Sequence, residues 1–146
     1  MVGLAKSETS APVSNLIGMT RTMLRSKIHR ITVTERNLDY EGSVTLDASL
    51  LAAAGALPYE RVDVYDVTNG SRFSTYFIEG EADSGVCCIN GAAAHLVKEG
   101  DLLILCTYGE FTDAEALIHS PRVVLISEGN KIKVIKAFEQ QGVSVS

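Results

Sequence analysis

The sequence predicts a mainly β chain, folded as a small barrel with a few short helices. Three observations carry this. Apolar and β-branched residues gather in short runs near 22–34, 62–67, 72–79, 86–90, 101–108, 122–127 and 131–136. Turn residues separate the runs, most clearly at Thr68-Asn69-Gly70 and Lys98-Glu99-Gly100-Asp101. Helical patterning is confined to short pieces. A length of 146 residues fits one domain with a modest core.

The elements follow in order. Residues 1–18 are small and polar, with no long apolar stretch after Lys6, and are expected to be a flexible N-terminal extension. In the first run Lys27, His29, Ile31 and Val33 alternate, so the four are expected to share a face. Asp47 is expected to cap a helix, Ala48 to Ala54, closed by Gly55. Leu50, Leu51 and Ala54 form its buried stripe. The hairpin at Thr68-Asn69-Gly70 leads into a strand with Arg72, Ser74, Tyr76 and Ile78 on one face. Asn90 is expected to cap the turn Gly91-Ala92-Ala93-Ala94. Asp113 caps a third helix, ending before Pro121. The barrel is expected over 19–138, followed by a loose tail, 139–146.

Composition excludes several classes. The hydrophobic fraction of 46% argues against disorder outside the ends. A net charge of -5 argues against a nucleic-acid surface. No apolar run reaches membrane-spanning length. Cys87, Cys88 and Cys106 lack CxxC spacing, and the histidines are scattered. No metal site and no Ser-His-Asp arrangement is expected. The cysteines read as small buried hydrophobes in a reducing cytoplasm.

The chemistry concentrates at Gly42-Ser43, in Asp39-Tyr40-Glu41-Gly42-Ser43-Val44. Such a bond can be cut by its own serine. The hydroxyl attacks the preceding carbonyl and the amide becomes an ester. Elimination breaks the ester, and hydrolysis of the dehydroalanine leaves a pyruvoyl group. Glycine tolerates the strained backbone this attack needs. Polar residues accompany it where core residues are expected: Lys27 and His29 in one strand, Arg72, Ser74 and Tyr76 in another.

Four segments together resemble the aspartate 1-decarboxylase family. They are Lys27-Ile28-His29-Arg30, Tyr40-Glu41-Gly42-Ser43, Val67 to Tyr76, and Ile89-Asn90-Gly91-Ala92-Ala93-Ala94. The resemblance runs from about Met19 to near the C-terminus. It implies a double-psi β-barrel, which the strand pattern alone does not give. It implies self-cleavage between Gly42 and Ser43, with a covalent pyruvoyl cofactor made from Ser43 and no metal or pyridoxal phosphate. A pyruvoyl carbonyl can take an amino acid as a Schiff base and accept the electrons left by carbon dioxide. The implied reaction turns L-aspartate into β-alanine for pantothenate and coenzyme A.

The resemblance also implies roles. Tyr76 is the proton donor. Lys27 and Arg72 suit the two substrate carboxylates, with the assignment between them open. Thr75, Gly91, Ala92 and Ala93 bind substrate, the last three through backbone N–H groups at a helix start. Asn90 and Tyr40 shape the pocket, and His29 assists. Thr75 should face away from Tyr76 on a regular strand, so either a bulge or a second subunit is needed to bring both to one site. Tyr65 and Val44 depart from the family pattern without removing a reacting group. A cytoplasmic homotetramer with sites between subunits is implied, and maturation is either spontaneous or helped by another protein. Two alternatives stay open: an adaptor module on the same barrel with an intact chain, and a pyruvoyl decarboxylase for another acidic amino acid such as glutamate.

Overall fold

The computed structural model describes residues 18–139. The expected extension therefore lies outside the described residues except for Gly18, and the expected tail except for Glu139. In chain order the elements are β1 (Arg21–Thr32), β2 (Glu35–Asn37), β3 (Ser43–Asp47), α1 (Ala48–Ala54), β4 (Arg61–Asp66), β5 (Arg72–Gly80) and β6 (Cys87–Asn90). A 3-10 turn (Gly91–Leu96), β7 (Leu102–Phe111), α2 (Asp113–Leu117), β8 (Arg122–Ser127), a second 3-10 turn (Glu128–Asn130) and β9 (Lys131–Lys136) complete it. The fold is mainly β with a few short helices, as the sequence predicts.

One mixed sheet holds every strand, in the order β9-β8-β1-β7-β4-β5-β3-β6-β2. Three pairs are parallel: β1 with β8, β3 with β5, and β2 with β6. The sheet curls back on itself. The Thr34 N–H, just past β1, donates to the Cys87 carbonyl of β6 at 2.9 Å. Ile28, Val44, Leu46, Val62, Val64, Phe77, Ile89, Leu103 and Leu105 fill the space so enclosed. Most sit one residue from a polar neighbour, as a strand with one buried face requires, whereas Leu103 lies between Leu102 and Ile104.

α1 forms as expected. The Asp47 carboxylate accepts the Ser49 N–H at 2.7 Å and also those of Asp83 and Gly85, at 2.9 and 2.8 Å. Burial alone would raise its pKa, yet the backbone donors together hold the carboxyl below its ordinary range. Gly55 closes the helix in the left-handed region, at φ 69°. Leu50, Leu51 and Ala54 are its buried residues.

Several expectations need correction. β1 does not alternate throughout. Arg30 takes φ 68° and the register with β7 shifts between His29 and Ile31. That bulge turns Ile31 and Val33 into the core, while Lys27 and His29 stay on the opposite face. Asn90 does not cap the turn that follows it, because its amide is engaged elsewhere. Thr112, not Asp113, caps α2. Its hydroxyl accepts the Glu115 N–H while the Glu115 carboxylate takes the Thr112 N–H. β2 and β3 were not expected as strands. They are short, and β3 opens on the Gly-Ser pair that reads as a turn.

The turn into β5 rests on Asp66. Asp66 Oδ1 accepts the N–H groups of Thr68 and Asn69, at 2.8 and 3.1 Å. Its Oδ2 is buried without a partner. Burial pushes the Asp66 carboxyl up, and the neighbouring Asp101 carboxyl pushes the same way. A raised folded pKa contributes stability at low pH that is lost as pH rises through it. Asp66→Asn mimics the protonated acid. It should raise stability at neutral pH by about 1 kcal/mol and flatten the loss on leaving the acid range. Urea unfolding across the acid-to-neutral range measures both.

Candidate active site

Ser43 opens β3 and is 3% exposed. Its strand neighbours explain the burial. β3 pairs with β6 so that Ser43 lies opposite Asn90, and Val44 opposite Ile89. Val44 and Ile89 take the core face, leaving Ser43, Thr45, Cys88 and Asn90 together on the other. There Asn90 Nδ2 donates to Ser43 Oγ and to Thr45 Oγ1, each at 2.9 Å. Cys88 Sγ donates to Asn90 Oδ1 at 3.2 Å. The Ser43 hydroxyl donates weakly to the Glu41 carbonyl, at 3.4 Å.

The 3-10 turn braces the same segment from behind. Gly91 has φ 71°, and a Cβ there would stand 2.6 Å from Gly42 Cα and 3.0 Å from the Tyr40 carbonyl oxygen. Glycine is therefore required twice over, for conformation and for space. Ala93 is half-buried and Ala92 is exposed. The Tyr40 side chain is exposed, so only its backbone touches this arrangement.

The cations gather on a different part of the sheet. Register places Lys27 beside Cys106, Cys106 beside Asp63, and Asp63 beside Ser74. The next row runs His29, Ile104, Tyr65, Arg72. Arg72, Ser74 and Tyr76 share this outer face, as expected. The Arg72 guanidinium lies 4.6 Å over the Tyr65 ring and has no carboxylate partner among the described residues. The Tyr65 hydroxyl is 3.0 Å from that of Tyr108. Arg61 and Ser74 form a further network with Asp63. Lys27 Nζ meets the Glu139 carboxylate at 2.5 Å. A second carboxylate at Lys27 would share the ammonium with Glu139 or replace it. His29 Nδ1 is buried without a partner. Burial, then Lys27 and Arg30, hold the His29 pKa below its usual range, so the ring is neutral at neutral pH.

β5 shows no bulge along its pairing with β4, from Arg61↔Tyr76 to Tyr65↔Arg72. Thr75 therefore faces inward beside Val62, and Tyr76 faces outward. The bulge alternative is removed. The parallel register Val44↔Phe77 sets Ser43 and Tyr76, each one residue earlier, at one level of adjacent strands. Lys27 stands on β1. Four strand steps, from β1 through β7, β4 and β5 to β3, separate it from Ser43. At about 4.8 Å each this is roughly 19 Å along the sheet.

The described chain thus holds a buried Ser43 in one place, and Lys27 and Arg72 on the outer face of other strands. A sequence profile described as Aspartate decarboxylase matches residues 19–133. The chain belongs to the aspartate decarboxylase family. A Ralstonia pickettii protein named Aspartate 1-decarboxylase is 53% identical over 118 residues, covering 81% of this chain and 98% of its own. Its Moorella thermoacetica namesake is 52% identical over 124 residues, covering 85% and 97%. That of Syntrophobacter fumaroxidans is 55% identical over 113 residues, covering 77% and 91%.

Sequence reasoning missed Cys88, Thr45 and Tyr108. Cys88 was legible by alternation, two residues before Asn90 on one strand face. Tyr65 was noted only as a departure, although a hairpin closed at Asp66 and Ser71 must set it beside Arg72. Tyr108 arrives through β7, whose register no short motif announces. Gly91→Ala should destabilise the chain by about 2 kcal/mol or more and displace Gly42. Thermal unfolding and the fraction of chain split at Gly42-Ser43, by intact mass, check this together.

Proposed function

We propose that this chain cleaves itself between Gly42 and Ser43 and then decarboxylates L-aspartate to β-alanine, the step that feeds pantothenate synthesis. The observation that supports it most is the Ser43 hydroxyl, buried and held by Asn90 in a decarboxylase-family chain. A desolvated serine with an amide donor on its oxygen and a glycine carbonyl before it suits an N-to-O acyl shift. The residues around Ser43 therefore fit a pyruvoyl group made in place. That group supplies the carbonyl for the substrate amine and the sink for electrons released with carbon dioxide.

The other residues bind and orient. Arg72 offers its planar fork to one carboxylate, from a guanidinium already ordered on the Tyr65 ring. Lys27 offers a compact charge to the other, in exchange for Glu139. Tyr76 is the group we assign to return the proton at Cα. Gly91, Ala92 and Ala93 present backbone N–H groups; Thr75, which faces inward beside Val62, supports the strand that carries Tyr76. Neutral His29 and the exposed Tyr40 support the pocket. The double-psi connectivity is the barrel form this reading carries.

Along the sheet, four strand steps separate Lys27 from Ser43, a path longer than aspartate. The reading therefore includes assembly, as a tetramer, with Lys27 and Arg72 of one copy brought to Ser43 and Asn90 of the next. Exposed Leu38, Tyr40, Leu57 and Tyr59 support such contacts. It places the enzyme in the cytoplasm, with metal and pyridoxal phosphate absent from the chemistry.

Ser43→Ala should leave one full-length mass and no β-alanine. The unaltered chain should give two fragments, the larger lacking the mass of ammonia relative to a serine-started chain. Mixing and reassembling Ser43→Ala with Lys27→Ala chains should restore part of the activity lost in each. No recovery, with both variants folded and tetrameric, would place the whole site in one chain. Arg72→Lys keeps the charge and loses the fork. It should cut kcat/KM for aspartate about tenfold or more without altering cleavage, read by steady-state kinetics and intact mass.

A further inference from the structure

We propose that Cys88 is a positioning residue for cleavage at Ser43, acting through the Asn90 side chain; this rests on the self-processing reading above. Cys88 and Asn90 lie two residues apart on one face of β6, while Cys87 and Ile89 belong to the core. Cys88, Asn90 and Ser43 are 4%, 3% and 3% exposed, so water does not arbitrate among them.

An asparagine amide has two orientations of nearly the same shape, and its partners select one. Thr45 does not select, since its hydroxyl can donate or accept, and Ser43 selects only weakly, its proton's other acceptor being the Glu41 carbonyl at 3.4 Å. Cys88 does. Its thiol stands 3.2 Å from Asn90 Oδ1. Burial first, and Glu35 second, push that thiol up to about 11, so at neutral pH it keeps its proton and donates. Oδ1 must then face Cys88, and the Nδ2 donors must face Ser43 and Thr45.

That orientation matters for the attack. Ser43 Oγ bonds to the Gly42 carbonyl carbon while the Gly42–Ser43 C–N bond breaks. The hydroxyl proton ends on the Ser43 nitrogen, leaving an ester and a free amine. Negative charge builds on Oγ as its proton leaves. An N–H aimed at Oγ stabilises that charge. A flipped amide would aim its own oxygen at Oγ, accept the hydroxyl proton and oppose the attack.

The test follows splitting of freshly made full-length chain by intact mass. Cys88→Val keeps bulk and removes the donor. Cys88→Ser keeps a donor and reduces bulk. Cleavage should slow about tenfold or more in Cys88→Val and stay within about threefold of the unaltered rate in Cys88→Ser. A packing role reverses that order, because serine leaves the larger void. Unfolding of both variants on a Ser43→Ala background reads packing apart from cleavage. Should Cys88→Val not fold, Cys88→Ala carries the comparison. Unaltered cleavage in the donorless variant, or slower cleavage in Cys88→Ser, overturns the proposal and leaves self-processing standing. An unaltered chain that never splits overturns both.

Discussion

The Asn90 amide is the interaction on which the functional half of this molecule depends. It ties β3 to β6 through side chains as well as backbone, and one of its bonds ends on Ser43 Oγ. A buried amide with all its partners made rigidifies its surroundings, whereas a half-satisfied one costs stability. Here two hydroxyls and a thiol complete it. The same demand explains why Asn90 leaves the following turn uncapped. Its side chain cannot serve both the turn and Ser43, and the turn is held by its position at the end of β6 instead.

The second constraint is spatial. A barrel wall spreads its outer face over many strands, so groups in register need not be neighbours of the reacting bond. Arg72 and Tyr65 meet because a tight turn folds β4 onto β5. The Asp66 carboxylate holds that turn through the Thr68 and Asn69 N–H groups. Lys27 reaches this face from β1 through β7. The result is a surface with an ordered arginine that has no carboxylate partner among the described residues, and a lysine that meets Glu139. Both features suit a dianionic substrate, and the strand order sets Lys27 four steps along the sheet from Ser43.

Much of this was legible in the sequence, for identifiable reasons. The long strands, α1 with its Asp47 and Gly55 caps, and the outward set Arg72, Ser74 and Tyr76 follow from local periodicity and turn chemistry. The Arg30 bulge was not legible, because a left-handed arginine leaves no mark in a pattern of alternation. It matters, since it separates Lys27 and His29 from Ile31 and Val33. β3 was hidden by its brevity and by Gly42-Ser43. The same two residues that advertise chemistry disguise a strand. The cleavage-side residues on β6 were partly legible, since Asn90 was named and Cys88 follows by alternation. Their joint hydrogen bonding depends on β3 pairing across the sheet, which no local signal gives.

The placement of groups separates two chemistries on the proposed reading. Cleavage draws on Ser43, Asn90 and Cys88, all in one buried patch of a single chain, and needs no substrate. Turnover draws on Lys27 and Arg72 as well, and the strand order keeps Lys27 four steps away. On that reading cleavage belongs to the folded chain and turnover to the proposed assembly. The glycine at 91 belongs to the first. Its missing Cβ lets the backbone before Ser43 lie against the turn, where any side chain would push Gly42 away. The aromatic platform at Tyr65 belongs to the second. It fixes a charge on the outer surface, where a neighbouring subunit can use it.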